Sequence, residues 1–366
     1  MATAFKVVDA AYRIGCGRYI QESGALRRLP EEIKRLGCTR VFVLYDSNTL
    51  RIAGELVESQ LDEGSIPFER HVYDAFCTRA EAERITAMPG FIQAGAVIGV
   101  GGGNILDLAK LCAVLGGKHV ICVPTSSATC AAYTPLSVTY NERFQAKGTI
   151  HHPVEVNAVL ADMDILCRQP PRLMSAGAYD ALAKMIETAQ RFKDRPESEI
   201  DIGMRAAYEL SRFTYQRLTE DLPQALQDTA AGIPSKAVYD VVHMSIAITG
   251  VISGLARGSN QSAIAHKIYE SSRTLFPDIV RSYLHGELVA IGLIAQLYYN
   301  GEPEKAVTLR SRLRGDGLPA SLRDVGIPKT DEALEGFYQI LLSSSAMAGT
   351  TAEEHARLRE ALGMIQ

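Results

Sequence analysis

Hydrophobic and polar positions follow two regimes along this chain. In the first, short apolar runs alternate with segments of three- and four-residue spacing. The runs 40–45, 94–100, 119–123 and 158–161 are rich in Val, Ile, Leu and Ala, the pattern of strands buried on both faces. Segments 5–11 and 68–72 read as further strands, and 18–26 as a loop and turn. Helices are expected at 29–36, with Pro30 in the first turn, and from 47 or 48 to about 61, with Ser47 or Asn48 as cap. Further helices are expected at 79–87 and from about 104 to 115. The stretches 138–140 and 148–150 form a predicted hairpin across the polar turn at 141–144. Strand–helix alternation of this kind builds a mostly parallel sheet covered by helices on both faces. Ligands of such sheets bind beyond the carboxyl ends of the strands, where Asp46, Gly101 to Gly103 and Thr125 all fall.

Beyond about residue 163 the regime changes to helical spacing alone, as in Met204, Ala207, Leu210 and Phe213. The predicted helices are 173–191, 197–218, 224–231, 236–255, 263–275, 286–299, 302–313, 318–324, 330–342 and 351–362. The sequence therefore predicts an α/β dinucleotide-binding domain at 1–163 and an all-helical domain at 164–366. No low-complexity linker separates them, so they are expected to share a fixed cleft.

The sharpest local feature is Gly101-Gly102-Gly103-Asn104, which follows the run ending at Val100 and opens a helix. Glycines let the backbone turn sharply, and a helix start aims free N–H groups and a positive dipole end at an anion such as a pyrophosphate. A tight turn with no ligand satisfies the same residues.

Composition narrows the functional classes. The chain has 366 residues, 47% hydrophobic and 22% charged, with a net charge of −4, a globular composition. No basic stripe with interleaved aromatics is present, which argues against nucleic acid. The first residues carry no apolar signal-peptide region, and the apolar run 238–256 is interrupted by Tyr239, Asp240 and His243, so a core helix is expected there and not a membrane span. The seven cysteines form no C-x-x-C pair and lie in the first half, as reduced thiols of a cytoplasmic protein would.

Several separated motifs together resemble the glycerol dehydrogenase branch of the iron-containing (group III) alcohol dehydrogenases. They are Gly101-Gly-Gly-Asn-Ile-Leu-Asp107-Leu-Ala-Lys110, Pro124-Thr125-x3-Thr129, Leu136-Ser-Val-x-Tyr140, Ala176-Gly-Ala-Tyr-Asp180-Ala-Leu-Ala, Ala263-Ile-Ala-His266 and Leu284-His285-Gly-Glu. The resemblance spans essentially the whole chain in order. It implies a dehydroquinate synthase-like fold with metal and substrate in the cleft, and a homo-oligomer acting on a small molecule, without nucleic-acid or membrane partners.

It also implies site residues. Asp180, His266 and His285 are the implied metal ligands and catalytic centre, with zinc favoured over iron; by sequence alone a histidine such as His266 is more often a surface or core residue. NAD(H) is preferred over NADP(H), because Asp46 would bind the ribose hydroxyls and repel a 2′-phosphate, although a helix-capping role fits it equally. Gly101, Gly102, Gly103 and Asn104 are expected at the pyrophosphate, Asp107 and Lys110 on the nicotinamide side, and Thr125, Thr134, Leu136 and Tyr140 along the cofactor.

The departures from the family pattern bear on the substrate. Cys130 replaces an aspartate that binds a polyol hydroxyl. Lys184 stands where the related iron enzymes place a histidine ligand, and reads as a solvated helix charge or as an anchor for a substrate carboxylate. Tyr269 replaces a histidine commonly found beside the nicotinamide. The run Thr129-Cys-Ala-Ala-Tyr133-Thr-Pro-Leu-Ser137 is similar to the hydroxycarboxylate dehydrogenase subgroup. The expected reaction is therefore metal-dependent hydride transfer between NAD(H) and a 2-hydroxy acid/2-oxo acid pair, with glycerol or another vicinal diol as the alternative. A dehydroquinate synthase-type lyase and an inactive binding homologue are the more remote readings.

Overall fold

The computed structural model describes residues 13–141, 145–192, 196–257 and 262–366. The strand expected at 5–11 lies outside them.

Six parallel strands form one sheet in the order β1-β8-β5-β4-β2-β3, with β1 Tyr19–Glu22, β2 Val41–Tyr45, β3 Phe68–Val72, β4 Ala96–Gly101, β5 His119–Pro124 and β8 Ala158–Asp162. Every residue of β2, β4 and β8 is buried, as a sheet covered on both faces requires. The covering helices include α1 Leu29–Arg35, α2 Ser47–Glu63, α3 Arg79–Thr86, α4 Pro89–Gln93 and α5 Gly103–Gly116. From β2 the chain runs outward to β3, then crosses back to β4 on the other side of β2. The strand order thus reverses between β2 and β4, the position at which such sheets open a ligand crevice. Strands β6 Leu136–Tyr140 and β7 Ala146–His151 form the expected antiparallel hairpin.

The rest is helical: α6 Met163–Leu166, α7 Pro171–Phe192, α8 Ile202–Ala231, α9 Lys236–His243, α10 Thr249–Leu255, α11 Ile264–Leu275, α12 Pro277–Val280, α13 His285–Tyr299, α14 Pro303–Gly315, α15 Asp331–Leu342 and α16 Ala352–Gly363. Among the described residues, 236–255 is the one helical run long and apolar enough to cross a membrane. It packs against α7 and α8, with Val238, Val241, Val242, Ile246 and Ile252 buried.

Four local expectations are corrected. Residues 19–22 are a strand, because pairing with β8 in parallel register gives their backbone a partner. The cap of α2 is Asp46, whose carboxylate accepts from Thr49 N at 2.7 Å while Thr49 Oγ1 accepts from Asp46 N at 3.0 Å. Pro223 does not end a helix: α8 runs through it, and the carbonyl that the proline leaves unpaired, Thr219 O, accepts from Arg312 at 3.2 Å. At 318–324 no α-helix forms; Pro319 interrupts it and only a 3₁₀ turn appears, Arg323–Val325.

Candidate active site

The glycine-rich turn sits where the strand order predicts a crevice. Asp46 follows β2, Gly101 ends β4, and Thr125 follows β5, its N–H donating to Gly101 O at 3.2 Å. Gly102 N-caps α5 with no side-chain cap, so the first N–H groups of that helix face outward without a protein acceptor from the cap. A Cβ on Gly102 would meet only Ser126 Oγ, at 3.9 Å, so the space over the turn is open to a ligand.

One turn further into α5 the character changes. Lys110 is buried, and its ammonium donates to Ala131 O at 2.6 Å, to Thr134 O at 3.0 Å and to Leu136 O, and pairs with Asp107 Oδ1 at 2.9 Å. Asp107 Oδ2 accepts from Val138 N at 3.0 Å. Ser137 donates to Asp107 O at 2.7 Å and lies 2.8 Å from His152 Nε2. This network pins the loop after β5 onto the helix that opens at the glycines. Asp107, Thr134 and Lys110 are all inside it, 5%, 2% and 1% exposed. Tyr140 reaches across to the helical half, its hydroxyl 3.2 Å from that of Tyr269 on α11.

The other side of this loop meets α7. A Cβ on Gly177 would lie 1.8 Å from Ser127 O, so only glycine lets α7 lie this close. The next turn carries Asp180, then Lys184 and Glu187 at spacings that keep all three on one face of the helix. The second close approach is on α13, where a Cβ on Gly286 would lie 1.9 Å from Ala176 O. That contact brings His285, the first residue of α13, to Asp180. The start of α13 is fixed by Glu287, which accepts from Leu284 N at 2.8 Å and is held by Arg172 at 2.6 Å. His266 comes from the first turn of α11.

The three side chains converge. His266 Nε2 is 3.2 Å and His285 Nε2 3.4 Å from Asp180 Oδ1, and one ligand atom from each residue lies within 4.8 Å of the others. Lys184 Nζ is 3.6 Å from the same oxygen. Burial alone would raise the Asp180 carboxyl, but the Lys184 ammonium and the two imidazoles close to Oδ1 hold it well below the usual range. Burial would lower His266, yet the Glu187 carboxylate, 2.5 Å from its Nδ1, pushes it up to about 9. His285 is lowered, because burial outweighs the attraction of Asp180. Lys184 is raised despite burial, chiefly by Asp180. Cys130 is pushed up to about 11 by burial, against the pull of Lys184, so it stands as a neutral thiol. Tyr269 packs edge-on to His285, with ring centroids 4.2 Å apart, and burial keeps its phenol protonated.

The donor set fits a divalent metal ion. Asp180 Oδ1 is buried and makes no hydrogen bond of good geometry, although two imidazole nitrogens point at it. Two buried carboxylates, Asp180 and Glu187, would offer counter-charge to a cation that takes the place of the His266 proton. One carboxylate and two imidazoles also leave coordination positions open for a substrate oxygen.

The structure thus gathers Asp180, His266, His285, Lys184 and Cys130 in one place, lines Asp46, Gly101 to Gly103, Asn104 and Thr125 along the crevice, and puts Tyr140 and Tyr269 between them. Sequence reasoning missed Glu187. Its only signal was a second carboxylate seven residues after Asp180, on the same helix face.

Known proteins resemble this chain in sequence and in fold. Residues 16–164 match the family described as iron-containing alcohol dehydrogenase. The chain is 31% identical to the glycerol dehydrogenase of Thermotoga maritima, over 85% of this chain and 84% of that protein. It is 28% identical to hydroxycarboxylate dehydrogenase A of Escherichia coli, over 87% and 86% of the two chains. Among solved structures, glycerol dehydrogenase from Schizosaccharomyces pombe superposes with a TM-score of 0.83 at 24% identity, covering 98% of this chain and 90% of that one.

Proposed function

Because the chain belongs to the iron-containing alcohol dehydrogenase family, in its glycerol dehydrogenase-like branch, we propose that it interconverts a small vicinal diol such as glycerol and the corresponding hydroxyketone, using NAD(H) and a zinc ion. The oxidoreductase class, acting on CH–OH, follows from the membership itself. The observation that carries the rest is the convergence of Asp180, His266 and His285 beside the loop pinned to the glycine-rich turn.

A divalent ion held by Asp180, His266 and His285 would supply Lewis-acid charge that lowers the pKa of the substrate hydroxyl, and the nicotinamide would supply the hydride acceptor. The protein's own residues set the geometry. The N-terminus of α5 and Gly101 to Gly103 would take the pyrophosphate, and Asp46 would take the ribose hydroxyls. Lys110 and Asp107 hold the loop that carries Cys130. Lys184 holds a buried positive charge 3.6 Å from Asp180 Oδ1, which would help stabilise negative charge developing on a substrate oxygen bound there. Tyr269, neutral and edge-on to His285, flanks the cluster and can donate a hydrogen bond.

The vicinal-diol reading is supported by the 31% identity to a glycerol dehydrogenase across most of both chains. The 2-hydroxy acid reading is retained as second on one observation: a buried Lys184 ammonium is available to a carboxylate, and the neutral Cys130 thiol adds no negative charge to repel it. The metal-dependent reading is tested by chelation. Treating the purified protein with EDTA is expected to abolish NAD+-linked glycerol oxidation, and added Zn2+ to restore it. In Asp180→Asn, Zn2+ is expected to restore nothing, with kcat/KM staying roughly 10³-fold or more below wild type, as losing several kcal/mol of charge stabilisation implies. Activity unaffected by chelation and by Asp180→Asn would refute this reading.

A further inference from the structure

We propose that Glu187 is a positioning residue for the metal site: its carboxylate fixes the ring orientation and tautomer of His266, so that Nε2 faces Asp180 as a ligand. The inference rests on the metal-dependent reading above. Glu187 is fully buried on α7, two turns after Asp180. Its Oε2 lies 2.5 Å from His266 Nδ1. Its Oε1 accepts from Ala263 N at 2.7 Å and from His266 N at 2.9 Å. Helix α11 has no side-chain cap of its own at Ala263, so a single carboxylate from another helix both caps α11 and grips the ring it carries.

Capping alone calls only for a neutral acceptor, which serine, threonine or asparagine supplies. The second oxygen explains why a full negative charge is buried here. A carboxylate only accepts, so it requires the proton on Nδ1; when a cation displaces the other proton, the one lone pair of the neutral ring is on Nε2, 3.2 Å from Asp180 Oδ1. The same contact raises the donor strength of Nε2 towards a cation. A glutamine at 187 could cap with its carbonyl oxygen, but its amide N–H₂ would then face Nδ1. That arrangement drives the ring proton to Nε2 and blocks the ligating lone pair.

The test uses the full-length chain with Zn2+ as probe, measured by competition with a fluorescent chelator, alongside thermal melts of the metal-free proteins. Glu187→Gln is expected to weaken zinc binding about 10–100-fold, whatever change its metal-free melting temperature shows. A purely structural Glu187 would lower only the melting temperature, so equal zinc affinities for Glu187→Gln and wild type overturn the inference. Failure of the wild type to bind zinc overturns the metal reading, and the inference with it. Should Glu187→Gln not fold, ¹⁵N-histidine NMR of the zinc-loaded wild type decides instead. His266 protonated at Nδ1 and ligated through Nε2 is expected, and the opposite tautomer overturns the inference.

Discussion

Asp46 places one side chain under two demands. One carboxylate oxygen caps α2 by accepting from Thr49 N, and the residue stands at the end of β2, on the rim of the crevice where an adenosine ribose would lie. The two roles separate under Asp46→Asn, because asparagine caps a helix as well as aspartate does but carries no charge. That variant should keep its melting behaviour to within about 0.5 kcal/mol. It should gain on NADPH by roughly 10-fold, the order expected from removing a like charge a few ångströms from a 2′-phosphate. Steady-state kinetics with both cofactors measures this; an unchanged NADPH/NADH ratio would remove Asp46 from cofactor selection. At the same scale, family resemblance suggested a cofactor-side place for Lys110 but gave no sign that it pins the loop after β5. Its partners are backbone carbonyls of Ala131, Thr134 and Leu136, and carbonyls leave no mark in a sequence.

Helix placement decides whether Asp180, His266 and His285 meet. His285 reaches Asp180 because α13 lies directly against α7, and that approach leaves no room at Gly286 for a Cβ, which would sit 1.9 Å from Ala176 O. Gly286→Ala must therefore push α13 away from α7. The expected cost is about 1–3 kcal/mol of stability, as for other overpacked sites, together with a loss of zinc affinity well beyond what the stability change explains. Paired melts and chelator competition check it, and intact zinc affinity in a folded Gly286→Ala would show that the contact does not position His285. Strands β2, β4, β5 and β8 were legible because continuous apolar runs announce strands buried on both faces. β1 was not, since its short, half-buried Tyr19–Glu22 segment is a strand only through its pairing with β8. The continuity of α8 through Pro223 was hidden for a similar reason. The donor that satisfies Thr219 O is Arg312, which the sequence keeps far away.

Across the whole molecule, the Asp180, His266 and His285 cluster lies in the helical half, on the helices beside the loop that follows β5. Asp180, His266 and His285 come from three helices, and no short motif joins them. Their identification as a set rested on family resemblance, and it took the fold to bring them within 4.8 Å. The crevice residues follow strands of the sheet, and Gly177 against Ser127 together with Tyr140 against Tyr269 ties the halves together. Such an arrangement would let one part hold a cofactor while the other holds the reacting oxygen, restricting the approach of the two reacting carbons. What the sequence leaves open is the balance between Lys184, which favours an anion, and the pocket of a diol enzyme, because a charge's effect depends on where the substrate's other groups lie. The ratio of kcat/KM for NADH oxidation by the zinc-loaded protein, dihydroxyacetone against 2-oxobutyrate, tests that balance directly. A ratio above about 10, or 1.4 kcal/mol in favour of the hydroxyketone, is the predicted result. A ratio below one would contradict the vicinal-diol assignment and make Lys184 the anchor of a substrate carboxylate.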